Sequence, residues 1–200
     1  MRAINAMKSE ISTRFDENLA RVENLVNLYS AAGGGRRDVA QSDLLRAAVA
    51  FLHASLEELM REILEWKLPD APSEMFNDVP LAGSAPRTRF TLPELASHRG
   101  KNVDAVLRES IREHLLVSSF NHPGDLQRAL ENAGLSSVPI APYRRELGPM
   151  MSRRHWIVHR ADRNEFAGPG HHATRSLSKA TVDRWLRAVR GLGRSVLKEL

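Results

Sequence analysis

Apolar residues recur along this chain every three or four positions, in blocks separated by glycine and proline. Ile4, Ile11, Phe15, Leu19, Val22, Val26 and Tyr29 fall at helical spacing, which predicts a first helix to about Ser30. The stretch AAGGGRR ends it, because three glycines in a row cannot hold a helix. Consecutive glycines can cradle a phosphate, but no Gly-Lys-Ser/Thr follows, so this stretch reads as a linker. A second helix is predicted over about 40–67. Its core stripe is Leu44, Ala48, Phe51, Leu52, Leu56, Leu59, Ile63 and Trp66, and Pro69 stops it. His53, Glu57 and Arg61 form an i, i+4, i+8 polar stripe away from that core arc.

Residues 69–90 are rich in proline and poor in periodicity, as expected of a long loop or an insertion that packs elsewhere. A third long helix is predicted over 103–117, then a short one capped by Asp125 and ending near Gly134. Pro142 to Leu147 reads as helical, and Gly148-Pro149 either kinks that helix or starts a new one. A loop rich in Gly, Pro and His covers about 163–177, and a last helix runs from Ser178 to the end. Val182, Trp185, Leu186, Val189, Leu192 and Val196 lie on one arc of that helix, with Arg187, Arg190, Arg194 and Lys198 on the arc beside it. No strand pair and no internal repeat is evident. The pattern predicts an all-α fold in one helical domain over residues 1–200.

Composition narrows the function. The chain has no cysteine, which removes disulfides, thiolate metal sites and a cysteine nucleophile, and fits a reducing compartment. The first residues, MRAINAMKSEISTRF, carry a charge every few positions and no apolar run, unlike a signal peptide. The longest purely apolar run, Ala47 to Leu52, is far too short for a bilayer. A cytoplasmic protein with no membrane partner is therefore expected. Charge is uneven: residues 1–140 hold 16 Lys/Arg against 19 Asp/Glu, whereas residues 141–200 hold 13 against 5. A basic final third suggests a polyanion as partner, RNA or DNA, although an arginine-rich face can also be merely solvated.

The chemistry concentrates in RRHWIVHRADR, residues 153–163. On one helix Arg154 and His159 are separated by roughly 7.5 Å along the axis and some 140° around it, within reach of a long guanidinium stem. His155 and His159, four apart, share a face. Trp156, Ile157 and Val158 are expected to anchor the helix in the bundle. RNA cleavage without a metal needs a base for the ribose 2′-hydroxyl and an acid for the departing 5′-oxygen, and histidine does either near its ordinary pKa of about 6.5. A fixed guanidinium stabilises the phosphorane between them. One Arg-His pair lacks a second acid or base, which two copies facing each other in a symmetric homodimer would supply.

Arg-x4-His with polar His155 after the arginine and IVHR closing the motif resembles the signature of the HEPN superfamily, most closely its RiboL-PSP-type bacterial members. The likeness extends through LLRAAVAFLHASLEELMREI (44–63), SSFNHPGDLQRAL (118–130) and the last helix with Trp185. The resemblance implies a dimeric HEPN-like helical bundle acting as an endoribonuclease that leaves 2′,3′-cyclic phosphate ends, in stress response, toxin–antitoxin systems or phage defence. Other members are non-catalytic RNA-binding or regulatory modules, or are restrained by an antitoxin or nucleotidyltransferase partner. It further implies that Arg154 stabilises the transition state, His159 transfers protons, His155 assists and Glu57 orients, with Glu58 the other acidic candidate. Arg153 competes with Arg154 as an Arg-x5-His variant. Arg153, Arg160, Arg163, Arg187, Arg190 and Arg194 are the candidate RNA contacts.

Other readings stay open. Glu57 can be a surface partner of Arg61, and Arg154 and His159 can serve a helix end and a bundle interface. His155 and His159 have the spacing of two zinc ligands, with His171-His172 to complete a set. Arginines at 153, 154 and 160 would repel a dication, and no glutamate lies between the two histidines, so no metal or other cofactor is expected. His98, His114 and His122 read as surface or capping residues.

Overall fold

A computed structural model describes residues 2–31, 39–85, 89–164 and 174–200. The apolar repeats become seven α-helices among them: α1 (Arg2–Ala31), α2 (Val39–Lys67), α3 (Leu92–Ala96), α4 (Val103–Val117), α5 (Pro123–Asn132), α6 (Arg144–Arg160) and α7 (Lys179–Glu199). Short 3-10 turns cover Leu68–Asp70, Ser73–Phe76 and Val138–Tyr143. The only extended pairing among the described residues is an isolated bridge between Arg163 and Thr174, so the fold is all-α. No helix among them is long and apolar enough to cross a membrane. The GGGRR stretch and the His171-His172 pair lie outside the described residues.

The chain divides into two compact units. The first comprises Met1–Leu59, Asn121–Pro123 and Val138–Leu200. Its centre is α7, whose arc from Val182 to Val196 is buried as the pattern predicts. Ser178 starts this helix by accepting a hydrogen bond on its side chain from the Thr181 backbone. Ile11, Phe15, Leu19, Val22 and Val26 of α1 supply the matching stripe, and burying each such side chain stabilises the fold by about 1.5–3 kcal/mol. The two helices can approach closely because α7 carries Gly193, where a Cβ would lie 2.3 Å from Phe15 Cε1 and 3.0 Å from Leu59 Cδ2. Gly193→Ala therefore sets two effects against each other. Helix propensity favours alanine by about 1 kcal/mol. Overpacking costs about 1–3 kcal/mol, and a buried ring has little room to yield. A net loss of up to about 2 kcal/mol is expected in urea melts; a gain in stability would show that the Phe15 ring moves aside freely.

Helix α2 departs from the predicted stripe. Ala48, Leu52, Leu56, Leu59 and Ile63 are buried as expected, but so are Leu45, Val49, Met60 and Leu64. Phe51 is 44% exposed, with the Arg21 guanidinium 5.4 Å from its ring centre. The polar stripe is also not on a solvent face: His53 and Glu57 are buried, 0% and 7% exposed. Helical geometry explains this. Arg46, His53, Glu57, Met60 and Leu64 fall within about 60° of one another around the axis, so a helix covered over more than half its circumference buries them together.

The second unit comprises Met60–Phe120 and Gly124–Ser137. Helix α4 starts at the Asn102 cap, whose side chain accepts from the Ala105 backbone, and buries Ser110, Ile111 and Leu115. Residues 81–85 are docked on it rather than free: the Ala82 N–H donates to Ser110 Oγ (2.9 Å) and the Gly83 N–H to Glu113 (2.8 Å). His98, expected at the surface, is buried with its Nε2 3.0 Å from the Ala82 carbonyl. Thr91 and Glu94 form a reciprocal capping box that starts the short α3. Arg61 donates to the Leu115 carbonyl at the end of α4. Helix α5 begins at Pro123, with Asp125 inside its first turn rather than at the cap. It ends where Leu135 donates back to the Leu130 carbonyl across Gly134, whose φ of +69° suits a residue without a Cβ.

Candidate functional site

The motif lies on α6, in the first unit. This helix runs unbroken from Arg144 through Pro149 to Arg160, so Gly148-Pro149 neither ends it nor begins a second one. Leu147, Met150 and Met151 bury its first half, and Arg184 of α7 donates to Glu146 at 2.9 Å. Its far end is held differently. Ala161 and Asp162 both adopt left-handed backbone conformations, with φ of 47° and 55°. Two such residues in succession are costly without glycine and persist only where the surroundings fix them.

What fixes them is the Asp162 side chain, which is fully buried. Its Oδ2 accepts from Arg46 Nε at 2.8 Å and from Arg153 Nη2 at 2.7 Å. Arg46 also donates to Thr174 Oγ1 (2.6 Å) and the Arg175 carbonyl (3.0 Å), and Arg153 reaches that same carbonyl at 2.7 Å. One carboxylate thus ties α2, the end of α6 and residues 174–176 together. This separates the two rival arginines. Arg153 is committed to the buried cluster and is not an open RNA contact. Arg154, half-buried, has no hydrogen bond or ion pair among the described residues.

His155 and His159 are exposed and in contact, ring centres 4.7 Å apart and planes tilted by 46°. The apolar side of the motif behaves unlike its sequence. Trp156 is half-buried, whereas Val158 is 51% exposed. At 100° per residue Val158 falls inside the arc between Arg154 and His159. The exposed face of α6 therefore presents a cation, an apolar side chain and two imidazoles side by side. Glu57, the residue suggested as orienter, places its Oε2 3.5 Å from Nδ1 of His53 on its own helix. Among the described residues no group of three or more His, Asp or Glu is placed to hold a metal ion.

The basic residues divide similarly. Arg187, Arg194 and Lys198 are exposed along α7, but Arg190 is spent on Glu23 of α1 at 2.8 Å. Arg160 is exposed at the end of α6, its guanidinium 5.8 Å from the Trp156 ring centre, and Arg163 is exposed just beyond it. Sequence reasoning missed Arg46, Asp162 and Arg175. Arg46 stands 116 positions from its carboxylate, a separation at which no local pattern signals a pair. No protein-family model, curated protein or solved structure matches the chain.

Proposed function

We propose that this chain is a metal-independent endoribonuclease of HEPN type, acting as a symmetric homodimer in stress response, toxin–antitoxin function or phage defence. The observation that carries the reading is the division of labour between neighbouring arginines. Arg153 is locked to Asp162, whereas Arg154, with no hydrogen bond or ion pair among the described residues, lies on the helix that displays His155 and His159. An uncommitted guanidinium beside exposed imidazoles has no evident role in stabilising the monomer, and it matches what phosphoryl transfer from a 2′-hydroxyl requires. His159 takes the 2′-hydroxyl proton in one protomer, its symmetry mate protonates the leaving 5′-oxygen, and Arg154 neutralises the phosphorane. Val158, exposed between them, suits a face that a second copy covers.

The test is incubation of the purified protein with total RNA in excess EDTA. Cleavage is expected to persist and to leave 2′,3′-cyclic phosphate and 5′-hydroxyl ends. Products with 5′-phosphates would mean a different chemistry. The exposed Arg187, Arg194 and Lys198 favour a second reading, a non-catalytic RNA-binding module, which binding without cleavage by a well-folded dimer would establish.

A further inference from the structure

Helix α6 has a second face, turned away from Val158. There Pro149, Arg153 and Trp156 border a cleft of about 430 Å³ that is completed by residues 175–178 and the start of α7. Its size lies within the range of roughly 300–1,000 Å³ typical of small-molecule sites. Neither the proton-transfer chemistry nor the buried Asp162 cluster uses this space.

The groups around it share one character. The Arg175 guanidinium stacks on the Trp156 ring at 4.0 Å, a flat cationic surface at the rim. Ser178 and Thr181 bring hydroxyls at the N-terminal end of α7, a 21-residue helix with no acidic residue in its first turn. Trp185 lines the cleft from within; it is 5% exposed, and its indole Nε1 has no hydrogen-bond partner among the described residues. Arg153 Nε, in the same wall, is also buried without one. An indole N–H and a guanidinium N–H only donate, so what both lack is an acceptor. No carboxylate is among the residues lining the cleft, and Asp162, the partner of Arg153, already serves two arginines.

We propose that this cleft is a nucleotide subsite. A helix N-terminus with adjacent hydroxyls and a guanidinium receives a phosphate. The flat Arg175 guanidinium stacked on Trp156 suits the face of a base. Occupied by one nucleotide of a bound strand, the cleft is a specificity pocket beside the cleavage motif. That role rests on the ribonuclease reading, whereas nucleotide binding itself does not.

The experiment keeps the two apart by using the full-length His159→Ala protein, which retains the whole cleft but lacks the proton-transferring imidazole. Two of the three tryptophans, Trp156 and Trp185, line the cleft, so their emission reports occupancy. Titration with adenosine 5′-monophosphate is expected to quench emission saturably. Inorganic phosphate alone is expected to bind at least tenfold more weakly. Arg175→Ala is expected to weaken nucleotide binding at least tenfold. It should do so without unfolding, because the ties from Arg46 and Arg153 run to the Arg175 carbonyl, which alanine keeps. Arg175→Lys should recover part of the affinity. A decaadenylate that binds at least tenfold more tightly than the mononucleotide makes a strand the source, and equal affinity makes it a free nucleotide; either supports the subsite. Emission unmoved by both ligands, phosphate binding as tightly as the nucleotide, or affinity unchanged in a folded Arg175→Ala protein would each overturn it.

Discussion

His159→Ala is expected to slow RNA cleavage by about 10²–10⁴-fold and Arg154→Ala by about 10²–10³-fold, with thermal stability nearly unchanged in both. The size follows from the roles proposed. Positioned proton transfer contributes about 10²–10⁴, and loss of one preorganised group facing developing charge costs about 10²–10³. The preserved stability follows from the structure. His159 is exposed, and Arg154 holds no hydrogen bond or ion pair among the described residues, so truncating either removes little that the fold uses. Substitutions away from the packed core that break no hydrogen bond or ion pair usually stay within about 0.5 kcal/mol. Arg154→Lys should rescue poorly, because an ammonium keeps the charge but loses the two-pronged fork. Arg153→Ala should behave in the opposite way, with a clear loss of stability. Cleavage rates and melting curves on the same four proteins decide the matter. Full activity in His159→Ala, or unfolding of Arg154→Ala, would sink the assignment and return both residues to an ordinary structural role.

The helices were legible because they are long and amphipathic. α4 and the start of α7 match their predicted bounds, and α7 buries the arc expected of it. The misreadings arise where burial and polarity disagree. Hydropathy places His53 and Glu57 on the outside of α2, but both are interior because polar partners lie there too. It also places Val158 inside, and the residue stands exposed on the arc between Arg154 and His159. Spacing alone could not choose between Arg153 and Arg154. The choice depends on Asp162, whose backbone turns left-handed just after the helix and whose charge meets an arginine more than a hundred residues away. Local patterns report which face of a helix is apolar. They do not report which distant carboxylate has claimed a guanidinium.

That carboxylate carries the other large expected effect. Asp162→Ala should destabilise the protein by about 3–5 kcal/mol, since it leaves the Arg46 and Arg153 guanidiniums together in the interior with their shared counter-ion gone. Asp43 cannot replace it: it is 3.2 Å from Arg46, but its side chain is 60% exposed and the pair is screened by solvent. Alanine at a φ of 55° adds backbone strain. Asp162→Asn separates the contributions. Asparagine tolerates the left-handed conformation and keeps one acceptor oxygen for the two arginines, yet it carries no charge. Its NH2 would take the place of Oδ1, which has no hydrogen-bond partner among the described residues. About half the loss seen with alanine is therefore expected. Because Asp162 fixes the end of α6 that carries His159, cleavage should fall along with stability in both variants, unlike the Arg154 and His159 series. Urea unfolding of the two proteins checks the ranking. A cost below about 1 kcal/mol for Asp162→Ala would show that the backbone turn and the Thr174 and Arg175 contacts hold the helix end without it.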